Sequence, residues 1–204
     1  MVKPSPRGPF IFLAAVLTAH IVLFCSTRLY PFLDMPNHLA LATIYRYFNS
    51  PGNAFSTYFR LDLFLQPNIF HLLLCGSNIF PSVEYANRVF FCLYFVLFAG
   101  AAVLILRRLG GNMWYALLVP LLFYNCNVSY GFVGCPIAIP VVLLLVYCML
   151  CDAAGAGRGN LGAIALLLAG LFFLHALMAC FGMFVFVCWV FWQYRRAWRQ
   201  AGIR

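Results

Sequence analysis

The stretch Phe64-Leu65-Gln66-Pro67-Asn68-Ile69-Phe70-His71-Leu72-Leu73-Leu74-Cys75-Gly76-Ser77-Asn78-Ile79-Phe80 decides how this chain is threaded. It is apolar enough to enter a bilayer. It is also short of the about 20 residues that a spanning helix needs, and it carries Gln66, Pro67, Asn68, His71, Ser77 and Asn78. If it crosses, every later segment changes side. If it stays at the surface, the chain has one span fewer.

The rest of the chain sets the frame for that choice. Of 204 residues, 65% are hydrophobic and 8% charged. No soluble fold of this length buries so much apolar surface, so composition predicts a polytopic membrane protein. No segment alternates apolar and polar residues as a barrel strand would, so the spans are helical. The net charge of +9 is too dispersed for a nucleic-acid surface.

Charge placement settles the threading. With 64–80 kept at the surface, the spans are 10–29, 86–106, 113–128, 131–150, 161–175 and 176–192. Lys3, Arg7, Arg107, Arg108, Arg158, Arg195, Arg196, Arg199 and Arg204 then lie on one side, and Arg28, Arg46, Arg60 and Arg88 on the other. Basic residues favour the cytoplasmic side, so both termini are expected there. If 64–80 crosses, Arg107, Arg108 and the basic C-terminus move outside. The expected fold is therefore all-α and polytopic. It has about six transmembrane helices, an outer loop at 30–85 with one or two interfacial helices, and a basic tail at 193–204.

This threading gathers polar residues on the outer side. The outer loop opens with Asp34-Met35-Pro36-Asn37-His38. Asp34 is placed to cap a helix, with Pro36 tolerated in its first turn. Asp34 and His38 then share a face. The chain has only four acidic residues, so a carboxylate beside an imidazole at a membrane surface is the prime candidate for chemistry. Met35–Phe48 reads as an amphipathic helix broken at Ser50-Pro51-Gly52-Asn53. Arg88 has Glu84 four residues before it as a natural partner. His71 reads as part of an amphipathic surface, and His175 as a helix-end group.

The nine cysteines fall mostly in apolar runs, where they serve as small hydrophobes. No CxxC or Cys/His metal spacing occurs. Cys126 and Cys135, flanking a turn, are the one pair to test for a disulfide.

Several motifs in this order carry a resemblance. They are the anchor followed by Asp34-Met35-Pro36-Asn37-His38, then Gln66-Pro67-Asn68, Glu84-Tyr85-Ala86-Asn87-Arg88 and Arg107-Arg108-Leu109-Gly110. Tyr124-Asn125, Tyr130-Gly131-Phe132 and Phe172-Phe173-Leu174-His175 continue the series. Together they resemble the N-terminal part of polytopic GT-C glycosyltransferases, in particular uncharacterised bacterial members. The resemblance implies transfer of a sugar from a polyprenyl-phosphate carrier at the outer face of a bacterial cytoplasmic membrane. It implies Asp34 as base or metal partner, with His38 beside it as a ligand or orienting group and a divalent cation, Mg or Mn, as cofactor. Arg60, Asn68, His71, Glu84, Arg88, Tyr130 and His175 would contact substrate. The implied partners are membrane lipid, the lipid-linked sugar, and a second membrane subunit or the missing C-terminal half, with no nucleic acid. The alternative from the residues alone is a non-catalytic membrane subunit.

Overall fold

The computed structural model describes residues 7–27, 32–63, 65–153 and 159–200, the last without the side chains of 159, 199 and 200. Lys3, Arg28, Phe64, Arg158 and Arg204 lie outside them, as does the side chain of Arg199. The described residues are all-helical, with no strand.

Four of these helices are long and apolar enough to cross a membrane, which marks the chain as an integral membrane protein. They are α1 (Arg7–Ser26), α5 (Val83–Arg108), α7 (Gly134–Asp152) and α9 (Ala176–Gln200). Their starts are encoded locally. Ser82 accepts a hydrogen bond from the Tyr85 N–H and begins α5 three residues before the expected span. Pro9 sits in the first turn of α1, where a missing N–H costs nothing. The expected basic tail is helical as far as Gln200, where the described residues end.

Two further apolar segments are built from shorter helices. Residues 113–122 form a 3-10 helix, capped by the Asn112 side chain and containing Pro120. At about 2.0 Å per residue it reaches roughly 20 Å, where an α-helix of the same length would reach about 15 Å. Asn125 then starts the short α6 (Cys126–Tyr130), accepting from the Asn127 and Val128 N–H groups. The other is α8 (Gly159–Leu174), which packs on α7. At His175 the chain reverses, and α9 folds back so that Gly182 lies against Leu168 and Leu171.

The bundle has two unlike ends. At one, the Arg107 guanidinium sits over the Phe10 ring and Arg108 donates to the Leu150 carbonyl at 3.0 Å. At the other lies a small unit of α2 (Met35–Arg46), α3 (Phe55–Tyr58) and α4 (Phe70–Gly76). The stretch 64–80 is therefore not one surface helix. Among its described residues only the middle is helical, seven residues or roughly 10 Å long. Leu65 and Asn68 take left-handed backbone angles that no helix continues. Arg46 holds this unit together by donating to the Phe80 and Pro81 carbonyls at 2.9 and 3.1 Å.

The core is aromatic. Phe90, Phe91, Tyr94, Phe95 and Phe98 of α5 are buried, with Phe24 and Phe123 packed against them. One fastening of the small unit lies beside α6. Leu33 and Asp34 donate their backbone N–H groups to the Ser129 and Tyr130 carbonyls. Gly131, at φ +82°, closes that contact, and a Cβ there would stand 2.8 Å from the Asp34 and Met35 nitrogens.

This geometry predicts the cost of filling Gly131. Gly131→Ala adds a clash with backbone to left-handed strain, so thermal unfolding in detergent should show a loss above about 2 kcal/mol. Gly52→Ala, at φ +90° but with open space around it, should cost about 1 kcal/mol. Equal effects of the two would contradict the docking role of Gly131.

Candidate functional site

Asp34 precedes α2 but does not cap it by its side chain, contrary to the sequence expectation. The reason is local. A capping oxygen accepts from the second or third helical N–H, and Pro36 removes the second. Asp34 also has helical rather than extended backbone angles. Its carboxylate turns instead to His38, with Oδ2 3.5 Å from Nε2. That is an ion-pair distance, longer than a good hydrogen bond. Asp34 is 42% exposed and His38 30%.

From His38 the polar groups continue inward. Its ring meets the His71 ring edge-on, with centroids 5.8 Å apart. His71 is buried, Nε2 lies 2.9 Å from Asn87 Oδ1, and its ring stands edge-on to Phe90. Cys75 Sγ is 3.3 Å from the same nitrogen. Asn87 is fully buried, and its Nδ2 has no hydrogen-bond partner. Four polar side chains thus lead from the surface to the top of the aromatic core.

Burial sets the charge of these groups. It pushes His71 down to about 4, with the Asn87 hydrogen bond opposing it and nearby His38 adding to the fall. His38 is also lowered by burial, and Asp34 works against that shift. Both rings are therefore neutral near pH 7. Burial pushes the Cys75 thiol up to about 12, so it stays protonated.

Two cavities meet beside this chain of groups. One, of about 290 Å³, is the more polar of the two, lined by His38, Asp62, Gln66, Asn68 and His71 together with Leu41, Ile69 and Leu72. The second, of about 470 Å³, is an apolar groove between α4, α5, α7 and α8, walled by Leu73, Leu97, Val141 and Phe173. Ile69 lines both.

Asn68 links the two in the backbone. Its N–H donates to the Phe172 carbonyl at 3.4 Å, and its Oδ1 accepts from the Ala176 N–H at 2.9 Å. Those two groups would bond each other if α8 continued into α9. His175, at the break, accepts from the Met178 N–H through Nδ1 and so caps α9.

The expected site residues separate on this basis. Asp34, His38, His71 and Asn68 lie at or beside the polar cavity. His175 is a helix cap next to Asn68. Arg60 and Tyr130 are exposed, and Tyr130 stacks on Phe132. Glu84 and Arg88 form no ion pair with each other among the described residues, and Arg88 Nε is buried without a hydrogen-bond partner. Asp62, Gln66, Asn87 and Cys75 join the site, although sequence reasoning placed Asp62 and Asn87 only among the outer polar residues and assigned no role to Gln66 or Cys75. Nothing local marks Asn87 as the partner of a histidine 16 residues earlier. Among the described residues no three His, Cys, Asp or Glu side chains gather as a metal site.

The His71 shift fixes a pH dependence. Its folded pKa lies below the unfolded value of 6.5, so the unfolded chain takes up the proton first. Stability is then full above pH 6.5 and falls as pH drops toward about 4, by up to about 3 kcal/mol. Thermal melts in detergent from pH 8 to 4 should show this slope, and His71→Gln should flatten most of it. An unchanged slope in the variant would contradict the buried neutral His71. Comparison with known proteins adds no assignment to this geometry: no family model, no curated protein and no solved structure matches the chain.

Proposed function

We propose that this chain is, or forms part of, a membrane glycosyltransferase of GT-C type that takes its sugar from a polyprenyl-phosphate donor. The observation that carries this reading is the meeting of the polar cavity and the apolar groove at Ile69. A substrate that is half polar and half lipid fits such a pair of spaces, with its chain among Leu73, Leu97 and Phe173 and its sugar beside His38 and Asp62. The four long helices, together with 113–130 and α8, make a six-span bundle in this reading. The Arg107–Arg108 end faces the cytoplasm, and the site lies at the outer membrane surface.

The roles of Asp34 and His38 follow from position. His38 lines the cavity, and Asp34 stands behind it at Nε2. Asp34 therefore orients the ring and favours its Nε2–H tautomer, which leaves Nδ1 to accept a proton. The acceptor hydroxyl oxygen attacks the anomeric carbon, and the carbon–oxygen bond to phosphate breaks. His38 takes the hydroxyl proton, and the phosphate leaves as its anion. The residues named for the polar cavity include no Lys or Arg. A divalent cation, Mg²⁺ or Mn²⁺, would bind through the Asp34 carboxylate, with substrate phosphate and water completing its shell, and would neutralise the leaving phosphate. So few protein donors suit an ion of that kind and no more tightly built site.

The second reading, a non-catalytic membrane subunit, is favoured by α9. Phe181, Phe184, Phe191 and Trp192 are exposed along it, a face that a larger assembly would cover as readily as lipid does.

Transfer from labelled polyprenyl-phosphate sugar, in membranes holding each variant at matched level, separates the readings. Asp34→Asn and His38→Gln should each lower transfer by about 10²-fold or more. Neither should change folded yield appreciably, because Asp34 makes no capping bond. Full transfer by both variants would remove the catalytic assignment. No transfer by wild type, with or without candidate partner subunits, would favour the subunit reading.

A further inference from the structure

We propose that Cys25 and Cys92 are a dithiol site that closes to an intramolecular disulfide when it meets a disulfide oxidant. Their sulfurs are 3.7 Å apart, one on α1 and the other on α5. Both are free thiols in this structure. A disulfide requires about 2.05 Å between sulfurs, so closure needs an approach of about 1.7 Å. Side-chain rotation supplies movements of that size without breaking the contact of α1 with α5.

The place of the pair in the fold gives closure a consequence. Among the described side chains of α1 only Pro9, Leu13 and Phe24 are buried, so this helix is weakly held. The two cysteines are 67 residues apart in sequence, and the loop between them contains α2, α3 and α4. A bond between them ties α1 to the core helix α5 and fixes both ends of the unit that carries His38 and His71. Cys25 is exposed and next to last in α1, at the end of the bundle where this unit sits, so a reagent reaches it first. Cys75, by contrast, is buried against His71. The inference does not depend on the transferase reading.

The exchange is balanced without further reactants. Cys25 loses its proton to solvent, and its sulfur attacks the oxidant's disulfide, releasing one thiol and forming a mixed disulfide. Cys92 then loses its proton and attacks the Cys25 sulfur. The Cys25–Cys92 bond forms, and the second thiol leaves. Two cysteine thiols are oxidised and one reagent disulfide is reduced.

The test uses the purified full chain in detergent with 4,4′-dithiodipyridine, an aromatic disulfide whose released thione absorbs light. Peptide mapping by mass spectrometry without reductant should find residues 25 and 92 linked, with two thiones released per link. Cys92→Ala should instead leave Cys25 as a stable mixed disulfide with one thione released. The linked protein should melt several degrees higher, and dithiothreitol should reverse that shift. Separate mixed disulfides on Cys25 and Cys92 in the wild type, without a link, would overturn the proposal. So would links that join either residue only to another cysteine. Because the wild-type map decides both outcomes, the test stands even if the variant does not fold.

Discussion

Between Phe172 and Ala176 one helical hydrogen bond is missing, and Asn68 takes both halves of it. In a membrane protein this exchange is a strong constraint, because an unpaired peptide group in hydrocarbon costs several kcal/mol. Asn68 satisfies both groups where the chain reverses at His175. Asn68 adopts a left-handed backbone, φ 62°, that asparagine tolerates better than most residues. The exchange also pins Ile69 next to the apex of the α8–α9 hairpin. The polar cavity and the apolar groove share a wall there, so one asparagine sets the geometry on which the functional proposal rests.

The same economy holds for the rest of the bundle. The aromatic rings of α5 fill the centre and give the small unit a floor, with Phe90 against His71 and Phe91 against Phe32. Glycines permit some of the closest approaches. A Cβ at Gly134 would overlap the Leu174 carbonyl, and one at Gly76 would overlap the Tyr45 ring. Tyr94, buried within this aromatic centre, donates its hydroxyl to the Phe123 carbonyl at 3.2 Å, where the 3-10 helix ends. A membrane protein with short and irregular segments needs such side-chain donors and acceptors, since its backbone alone does not close every bond.

Helical class was legible because it depends on composition. The Asp34–His38 pair was legible for a related reason: both partners lie on one turn of one helix. The loss of the Asp34 cap was also encoded, in Pro36, which has no N–H to offer. His71 was not legible. In a leucine-rich stretch a histidine reads as a surface group, and only the packing of α4 on α2 and α5 brings it to Asn87. The same limit applies to 64–80 as a whole. Its polar residues correctly argue against a spanning helix, but the left-handed turn at Asn68 and the tie to α8 are made by a partner more than 100 residues away. The 3-10 conformation of 113–122 has no signature in its sequence beyond Pro120.

The central claim is that groove and cavity form one site for a lipid-linked phosphate. Native mass spectrometry of the chain released from its own membranes tests it most directly. A bound polyprenyl-phosphate species should remain on the wild type and be lost from Gly170→Trp, which places a large ring at the groove wall where a Cβ meets open space. Equal retention of that lipid by both proteins, or only bulk phospholipid on each, would contradict the claim.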